Sequence, residues 1–191
     1  MLLRNDGTDA SGSPRFSDVA MATGADDIKD GRGMAVADFD NDGDLDIVVN
    51  NNPGDTGRAE LARATLLRNN VGATRNWLAV ELVGTEGNRD GVGAQVTIEA
   101  GGEKQLRLVG AGSGFASQQS ARLYFGLGAR ERADALVVRW PGGRVERFEQ
   151  VGGQPIGARR LVRVTEGAGG ELSQLPARRT SQSGRGLAAA K

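Results

Sequence analysis

Cysteine and histidine are both absent from the 191-residue chain. Without cysteine there can be no disulfide, thiolate zinc site, iron–sulfur cluster or cysteine nucleophile. Without histidine the commonest general base, the usual transition-metal ligand and the side chain that titrates near neutral pH are missing as well. Aromatics are few: two Trp, one Tyr and five Phe. Charge of neither sign is in surplus, because 24 Lys and Arg balance 24 Asp and Glu. That balance argues against a protein whose main task is gripping nucleic acid or an anionic membrane. No apolar run approaches the roughly 20 residues needed to span a bilayer. The start, Met1-Leu2-Leu3-Arg4-Asn5-Asp6, lacks the apolar stretch of a secretory leader. Glycine, by contrast, is abundant at 30 residues, about twice its usual share of ~7%. Much glycine with few aromatics points to short strands joined by tight turns.

The apolar runs are short, rich in Val, Leu and Ile, and bounded by turn residues: Met34–Ala37, Ile47–Val49, Trp77–Val83, Gln95–Ile98, Leu106–Val109, Leu123–Phe125, Leu136–Trp140, Val145–Phe148 and Leu161–Val164. Several alternate with period two, as in Val80 and Leu82 around Glu81, the pattern of half-buried strands. Pro141-Gly142-Gly143 between two such runs predicts a hairpin turn. One short, weakly amphipathic helix is expected near Arg58–Ala64. The chain reads as all-β.

Composition changes twice. Residues 1–72 are rich in Asn and Asp, and Leu2-Leu3-Arg4-Asn5-Asp6 recurs as Leu66-Leu67-Arg68-Asn69-Asn70, a self-similarity that suggests a repeat architecture. Residues 73–166 are dense in strands and form a second unit. Residues 167–191 hold Gly, Ser, Gln, Arg and Ala with almost no large apolar side chain, so they read as a tail that cannot offset its ordering entropy alone.

The strongest chemical signal is Asp38-Phe39-Asp40-Asn41-Asp42-Gly43-Asp44-Leu45-Asp46. Five carboxylates on alternating positions repel one another, and a hard divalent cation reverses that repulsion. Calcium takes six to eight oxygens at about 2.3–2.6 Å, which alternating side chains on a curling loop can supply. Gly43 allows the sharp turn that returns the later ligands. Asp38, Asp40, Asp42 and Asp46 offer carboxylates, and Asp44 its backbone carbonyl. An EF-hand would need a Glu at position twelve of the loop and flanking helices. Position twelve is Val49 and both flanks read as strands, so the expectation is a calcium loop closing a β-hairpin. Magnesium fits less well, since it prefers tighter octahedral geometry and keeps more of its water.

The string from Gly33 to Asn50 resembles the FG-GAP/VCBS repeat, the calcium-binding blade unit of integrin-α-type β-propellers. Leu66–Asn70 is similar to that repeat's next strand, and Leu2–Gly7 with Phe16–Ala20 to the end of a preceding copy. The resemblance places metal ligands on Asp38, Asp40, Asp42, Asp44 (backbone) and Asp46. The second half resembles the ASPIC/UnbV domain of cartilage-acidic-protein-like and related bacterial secreted proteins. The strings that carry it are Asn76-Trp77-Leu78, Gly84-Thr85, Asn88–Ala94, Gly112–Gln118, Phe125–Gly128 and Val138–Gly143. Tyr124 stands where that family often has histidine, a departure expected to remove one polar group. The fold implied is a partial β-propeller-type blade, the calcium hairpin, joined to a small β-sandwich-like domain. The role implied is calcium-stabilised extracellular recognition or adhesion, with a secreted, periplasmic or cell-surface location.

A closed propeller typically has four to eight blades, and a lone blade exposes its strand edges. Two arrangements resolve this: the chain is the C-terminal piece of a larger propeller protein, or copies pair edge to edge into a homo-oligomer or filament. Self-association is the expectation for the chain as it stands. The alternative role is a carbohydrate- or ligand-binding accessory module with an extracellular protein or glycan partner, in which Trp77 and Trp140 would form a stacking platform; core burial is the expectation for both. Weaker signals carry less. Gly110–Gly114 lacks the lysine and helix of a nucleotide loop. Ser113 and Ser117 lack a base, since Lys104 is not linked to either. Arg89-Asp90-Gly91 reads as a polar turn. Arg178 and Arg179 read as part of a solvated tail rather than a nucleic-acid arm. No enzyme is expected.

Overall fold

The computed structural model describes residues 1–52, 54, 62–71, 74–112 and 114–175. The helix expected near Arg58–Ala64 falls for the most part outside them, as do Ser113, Arg178 and Arg179. Among the described residues no helix is long and apolar enough to cross a membrane. Among the described residues the chain is nearly all β, in several small sheets of which none closes. Contacts divide it into two compact units: Met1–Val36 with Asp46–Asn69 and Gly112–Gln119, and Ala37–Leu45 with Asn70–Ala111 and Ser120–Lys191.

The first unit holds the partial blade. Strands β1 (Leu3–Thr8) and β2 (Pro14–Asp18) form an antiparallel ribbon. A single helical turn follows, α1 (Ala20–Thr23), which stops at Gly24 in the left-handed conformation. Then β3 (Asp30–Ala37), β4 (Asp46–Asn52) and β5 (Thr65–Leu67) make a three-stranded sheet in that order. Strand β3 begins four residues before the apolar run that predicts it. Its first half, Asp30-Gly31-Arg32-Gly33, carries no hydrophobic signal, because two of its residues are spacers. A Cβ on Gly31 would stand 2.9 Å from Val49 Cγ1, and one on Gly33 3.2 Å from the Phe115 carbonyl. The Thr65 hydroxyl pins β5: it donates to Asp27 and accepts from Lys29 Nζ and Asn51 Nδ2, both at 2.9 Å.

The second unit is the sandwich-like domain, with two four-stranded sheets. One has the order β11 (Val145–Phe148), β10 (Ala135–Arg139), β7 (Gln95–Ala100), β8 (Glu103–Leu108). The other has the order β15 (Gly169–Ser173), β14 (Arg160–Thr165), β6 (Asn76–Val83), β9 (Leu123–Gly128). A small ribbon, β12 (Gln150–Val151) with β13 (Gln154–Pro155), lies between β11 and β14 in sequence. Alternate residues of both sheets build one core: Leu78, Val80 and Leu82 of β6, Val162 and Val164 of β14, Val96 and Ile98 of β7, Phe125 and Leu127 of β9, Leu136 and Val138 of β10. The Pro141-Gly142-Gly143 hairpin forms as expected, with the Trp140 N–H donating to the Arg144 carbonyl at 2.9 Å.

Strand β6 is central and buried on both faces. Its other face, Trp77 and Ala79, joins Leu161, Tyr124 and Leu175 in a second apolar cluster. The sheet also continues beyond the boundary expected at residue 166: Gly169–Ser173 pairs antiparallel with β14. The composition that marked this stretch as a tail misleads because strand pairing draws on backbone groups, which every residue carries. Glycine also packs closely there, since a Cβ on Gly170 would stand 3.2 Å from Val151 Cγ1.

Candidate metal centre

The acidic residues leave β3 and curl back towards β4. Two other residues of this loop, Asn41 at φ +58° and Gly43 at φ +97°, are left-handed, which Asn and Gly tolerate best. The curl is closed by side chains capping backbone amides. Asp38 Oδ1 accepts the Asp42 N–H at 3.1 Å, Asp38 Oδ2 the Gly43 N–H at 3.0 Å, and Asp42 Oδ1 the Asp44 N–H at 3.1 Å. The result is a cluster in which one carboxylate oxygen each from Asp38, Asp40 and Asp42 lies within 4.8 Å of the others, all three residues half-buried. Burial pushes the Asp38 carboxyl above its ordinary range, and the neighbouring Asp42 charge adds to that, against the hydrogen bonds from Tyr124 and the two amides.

The other two predicted ligands are Asp44, through its backbone carbonyl, and Asp46. The Asp44 side chain is buried. Asp46 opens β4 in the first unit, is buried too, and its Oδ1 accepts the Asn69 N–H at 2.8 Å, tying down the chain after β5. Three half-buried carboxylates suit a hard cation with oxygen ligands, and the donor set fits calcium.

Residues distant in sequence complete the surroundings. Gly43 packs on the edge of the Trp77 indole, and Tyr124 sits beside that indole, ring centroids 6.2 Å apart and planes at 46°. The Tyr124 hydroxyl donates to Asp38 Oδ2 at 3.0 Å and accepts from Arg122 Nη1 at 3.3 Å. The expected loss of a polar group at position 124 is therefore corrected: the phenol supplies one, aimed at the acidic loop. Burial raises the Tyr124 pKa, as does the Asp38 charge, so the proton stays on the phenol.

Arg122 continues the network. Its Nη1 reaches Asn41 Oδ1 at 3.4 Å, and its Nε donates to Glu81 Oε1 at 2.8 Å. Glu81 in turn accepts from Arg163 Nη2 at 3.0 Å, and Arg163 Nη1 reaches Glu171 at 3.3 Å. Residues Glu81, Arg163 and Glu171 are in register across β6, β14 and β15. Burial works against the Glu81 charge, but the two guanidinium bonds outweigh it and hold its carboxyl below the ordinary range. A groove of about 530 Å³ opens over this row, lined among others by Arg89, Asp90, Arg122 and Arg163.

Neither Arg122 nor the link through Tyr124 is legible in the sequence, since nothing local marks residues 81 and 86 positions away from the loop as its partners. The two tryptophans are buried, Trp77 at 8% exposure and Trp140 at 1%. Lys104 is ion-paired with Glu99 at 2.8 Å.

The curled acidic hairpin and the sandwich-like domain are the two parts by which the chain is classified. A family model for the FG-GAP repeat matches residues 31–66, and one for ASPIC and UnbV matches residues 84–171. The two family models thus find, in chain order, an FG-GAP repeat and an ASPIC/UnbV domain. It is similar to cartilage acidic protein 1 of Mus musculus, 32% identical over 118 residues, which is 60% of this chain and 17% of that protein. The Xenopus tropicalis protein of the same name is 32% identical over 121 residues, 61% of this chain and 17% of the relative. The Homo sapiens one is 31% identical over 118 residues, 60% of this chain and 16% of the relative. The chain thus spans about one sixth of the length of these relatives.

Proposed function

We propose that this chain is a calcium-stabilised extracellular structural or adhesive module that self-associates through open strand edges, with no catalytic role of its own. The observation that carries the metal part is the convergence of Asp38, Asp40 and Asp42 oxygens within 4.8 Å on a hairpin of an FG-GAP repeat. These three carboxylates would hold the cation, and the resemblance adds the Asp44 carbonyl and Asp46. Calcium, when bound, supplies positive charge that offsets the repulsion among the carboxylates. Binding to the folded state alone adds RT ln(1 + [Ca]/Kd) to stability. A loop of modest affinity fills where calcium is millimolar, as outside cells, and the likeness to cartilage acidic protein 1 agrees with that location.

Self-association draws on strand β8. Among the described residues it pairs only with β7, and Leu106 and Leu108 on it are 57% and 59% exposed. An edge strand with two outward leucines is a template for pairing with a second copy.

Light scattering combined with a thermal melt, in millimolar calcium and then in chelator, tests both parts. The expected result is a higher melting temperature in calcium and a mass above one chain. A melting temperature indifferent to calcium overturns the metal reading, and a mass of one chain at high protein concentration overturns self-association.

A second reading, ligand binding, is favoured by the polar groove lined by Arg89, Arg122 and Arg163. It no longer draws on a tryptophan platform, because both indoles are buried. Titration with acidic oligosaccharides, followed by calorimetry, separates it from the first.

A further inference from the structure

We propose that Tyr124 is a positioning residue for the acidic loop: its hydroxyl orients the Asp38 carboxylate for a divalent cation and ties the loop's occupancy to the sheet beneath it. The inference rests on the metal reading above and adds a residue outside the repeat to the machinery of the site.

The phenol has one proton to give and an oxygen that accepts. Arg122 Nη1 occupies the acceptor side at 3.3 Å, so the proton is directed to Asp38 Oδ2 at 3.0 Å. With the Asp42 N–H on Oδ1 and the Gly43 N–H on Oδ2, the Asp38 carboxylate is held by three donors from two directions. Ordering a ligand before the cation arrives lowers the entropy lost on binding, which is the general effect of groups that brace a metal ligand. In the absence of a cation the same donor partly offsets the negative charge of Asp38. Tyrosine thus acts on both states, by orientation in one and by charge in the other.

The link also runs outward from the loop. Tyr124 packs beside Trp77, and Gly43 of the loop lies on the edge of that same indole. The loop therefore touches the sheet at two adjacent points, a hydrogen bond to Tyr124 and a van der Waals contact with Trp77. A cation held by Asp38 would therefore be coupled to both contacts. Coupling of this kind is reciprocal: if a bound cation favours the Tyr124–Asp38 bond by some factor, forming that bond favours cation binding by the same factor.

Tyr124→Phe keeps the ring and its packing on Trp77 and removes only the hydroxyl. Calcium is titrated into the full chain, wild type and variant, by calorimetry, and tryptophan emission and thermal melts are recorded in calcium and in chelator. The variant is expected to bind calcium about 10-fold more weakly, in the range lost when a brace behind a metal ligand is removed. Its calcium-induced rise in melting temperature is expected to shrink by more than its melting temperature in chelator falls. The calcium-dependent change in tryptophan emission, to which Trp77 beside the loop contributes, is expected to diminish with it. Arg122→Gln, which leaves the phenol but removes the guanidinium behind it, is expected to weaken calcium binding in the same direction and by less. If wild type binds calcium and Tyr124→Phe binds it equally well, with both melts lowered alike, the hydroxyl serves packing only and the inference fails by itself. If wild type does not bind calcium, the metal reading fails and takes this inference with it.

Discussion

Gly43 lies so close to the Trp77 indole that a Cβ at position 43 would stand 1.8 Å from Nε1 and 2.0 Å from Cε2. The same residue has φ of +97°, so one position must satisfy a left-handed backbone and a side-chain-free contact. Gly143, in the β10–β11 turn, shares the first demand at φ +92° but has nothing within 4 Å. Gly43→Ala is expected to destabilise the protein by roughly 2–5 kcal/mol, left-handed strain plus overpacking. Gly143→Ala should lose only the strain, about 1–2 kcal/mol. Urea denaturation of both variants checks this. Equal losses would mean that the loop does not rest on the indole in solution.

The second prediction concerns pH. Glu99 accepts from Arg147 at 2.9 Å and pairs with Lys104 at 2.8 Å, and these cations hold its carboxyl down to about 2 from an ordinary 4.5. A depressed carboxyl stabilises the fold above the unfolded value, and that contribution is lost as pH falls from about 4.5 towards 2. Glu99→Gln should therefore flatten the acid limb of the melting curve in that window.

Asp38 has the opposite sign, because burial raises its carboxyl. In metal-free protein its ionisation opposes folding, and protonation relieves that as pH falls through the raised value. With calcium present, protons instead compete with the cation. Melting temperature measured from pH 7 down to 4.5 should fall more steeply in calcium than in metal-free buffer. Parallel slopes would show that Asp38 is not in the site.

A third prediction follows from Trp140, whose buried indole N–H donates to Glu146 Oε2 at 2.5 Å. Glu146→Ala leaves that donor without its acceptor and is expected to destabilise the protein by about 1–3 kcal/mol. Glu146→Gln keeps an acceptor oxygen and should lose less. Denaturant midpoints of the two variants decide between a hydrogen-bonding role for Glu146 and a merely solvated one.

A fourth addresses assembly. Leu108→Lys places a charge on the exposed face of edge strand β8, a substitution that blocks edge pairing while touching no core contact. The expected outcome is a mass of one chain by light scattering with a melting temperature close to wild type. An unchanged mass above one chain would move the interface to another surface.

Several parts of this protein are encoded within a few residues of themselves. The acidic loop is one: an aspartate at every second position, with Gly43 where the backbone turns left-handed, writes the curl into nine consecutive residues. The β10–β11 turn at Pro141-Gly142-Gly143 is another, and so are the alternating strands Trp77–Val83 and Leu161–Thr165, because period two with Val and Leu reports a buried face directly. Other elements carry no such local mark. Strand β15 and the first half of β3 are rich in glycine and polar residues, and they become strands only because a neighbouring edge offers backbone partners. The parallel pairing of β6 with β14 joins residues some eighty positions apart and is decided by how the whole core packs. That packing puts the Tyr124 hydroxyl on Asp38, 86 positions away. Spacing along the chain determined which residues could hold a cation. Which residues hold that loop in place was left to tertiary structure, since a hydrogen bond between distant segments depends on the path of the chain between them and not on the residues beside either end.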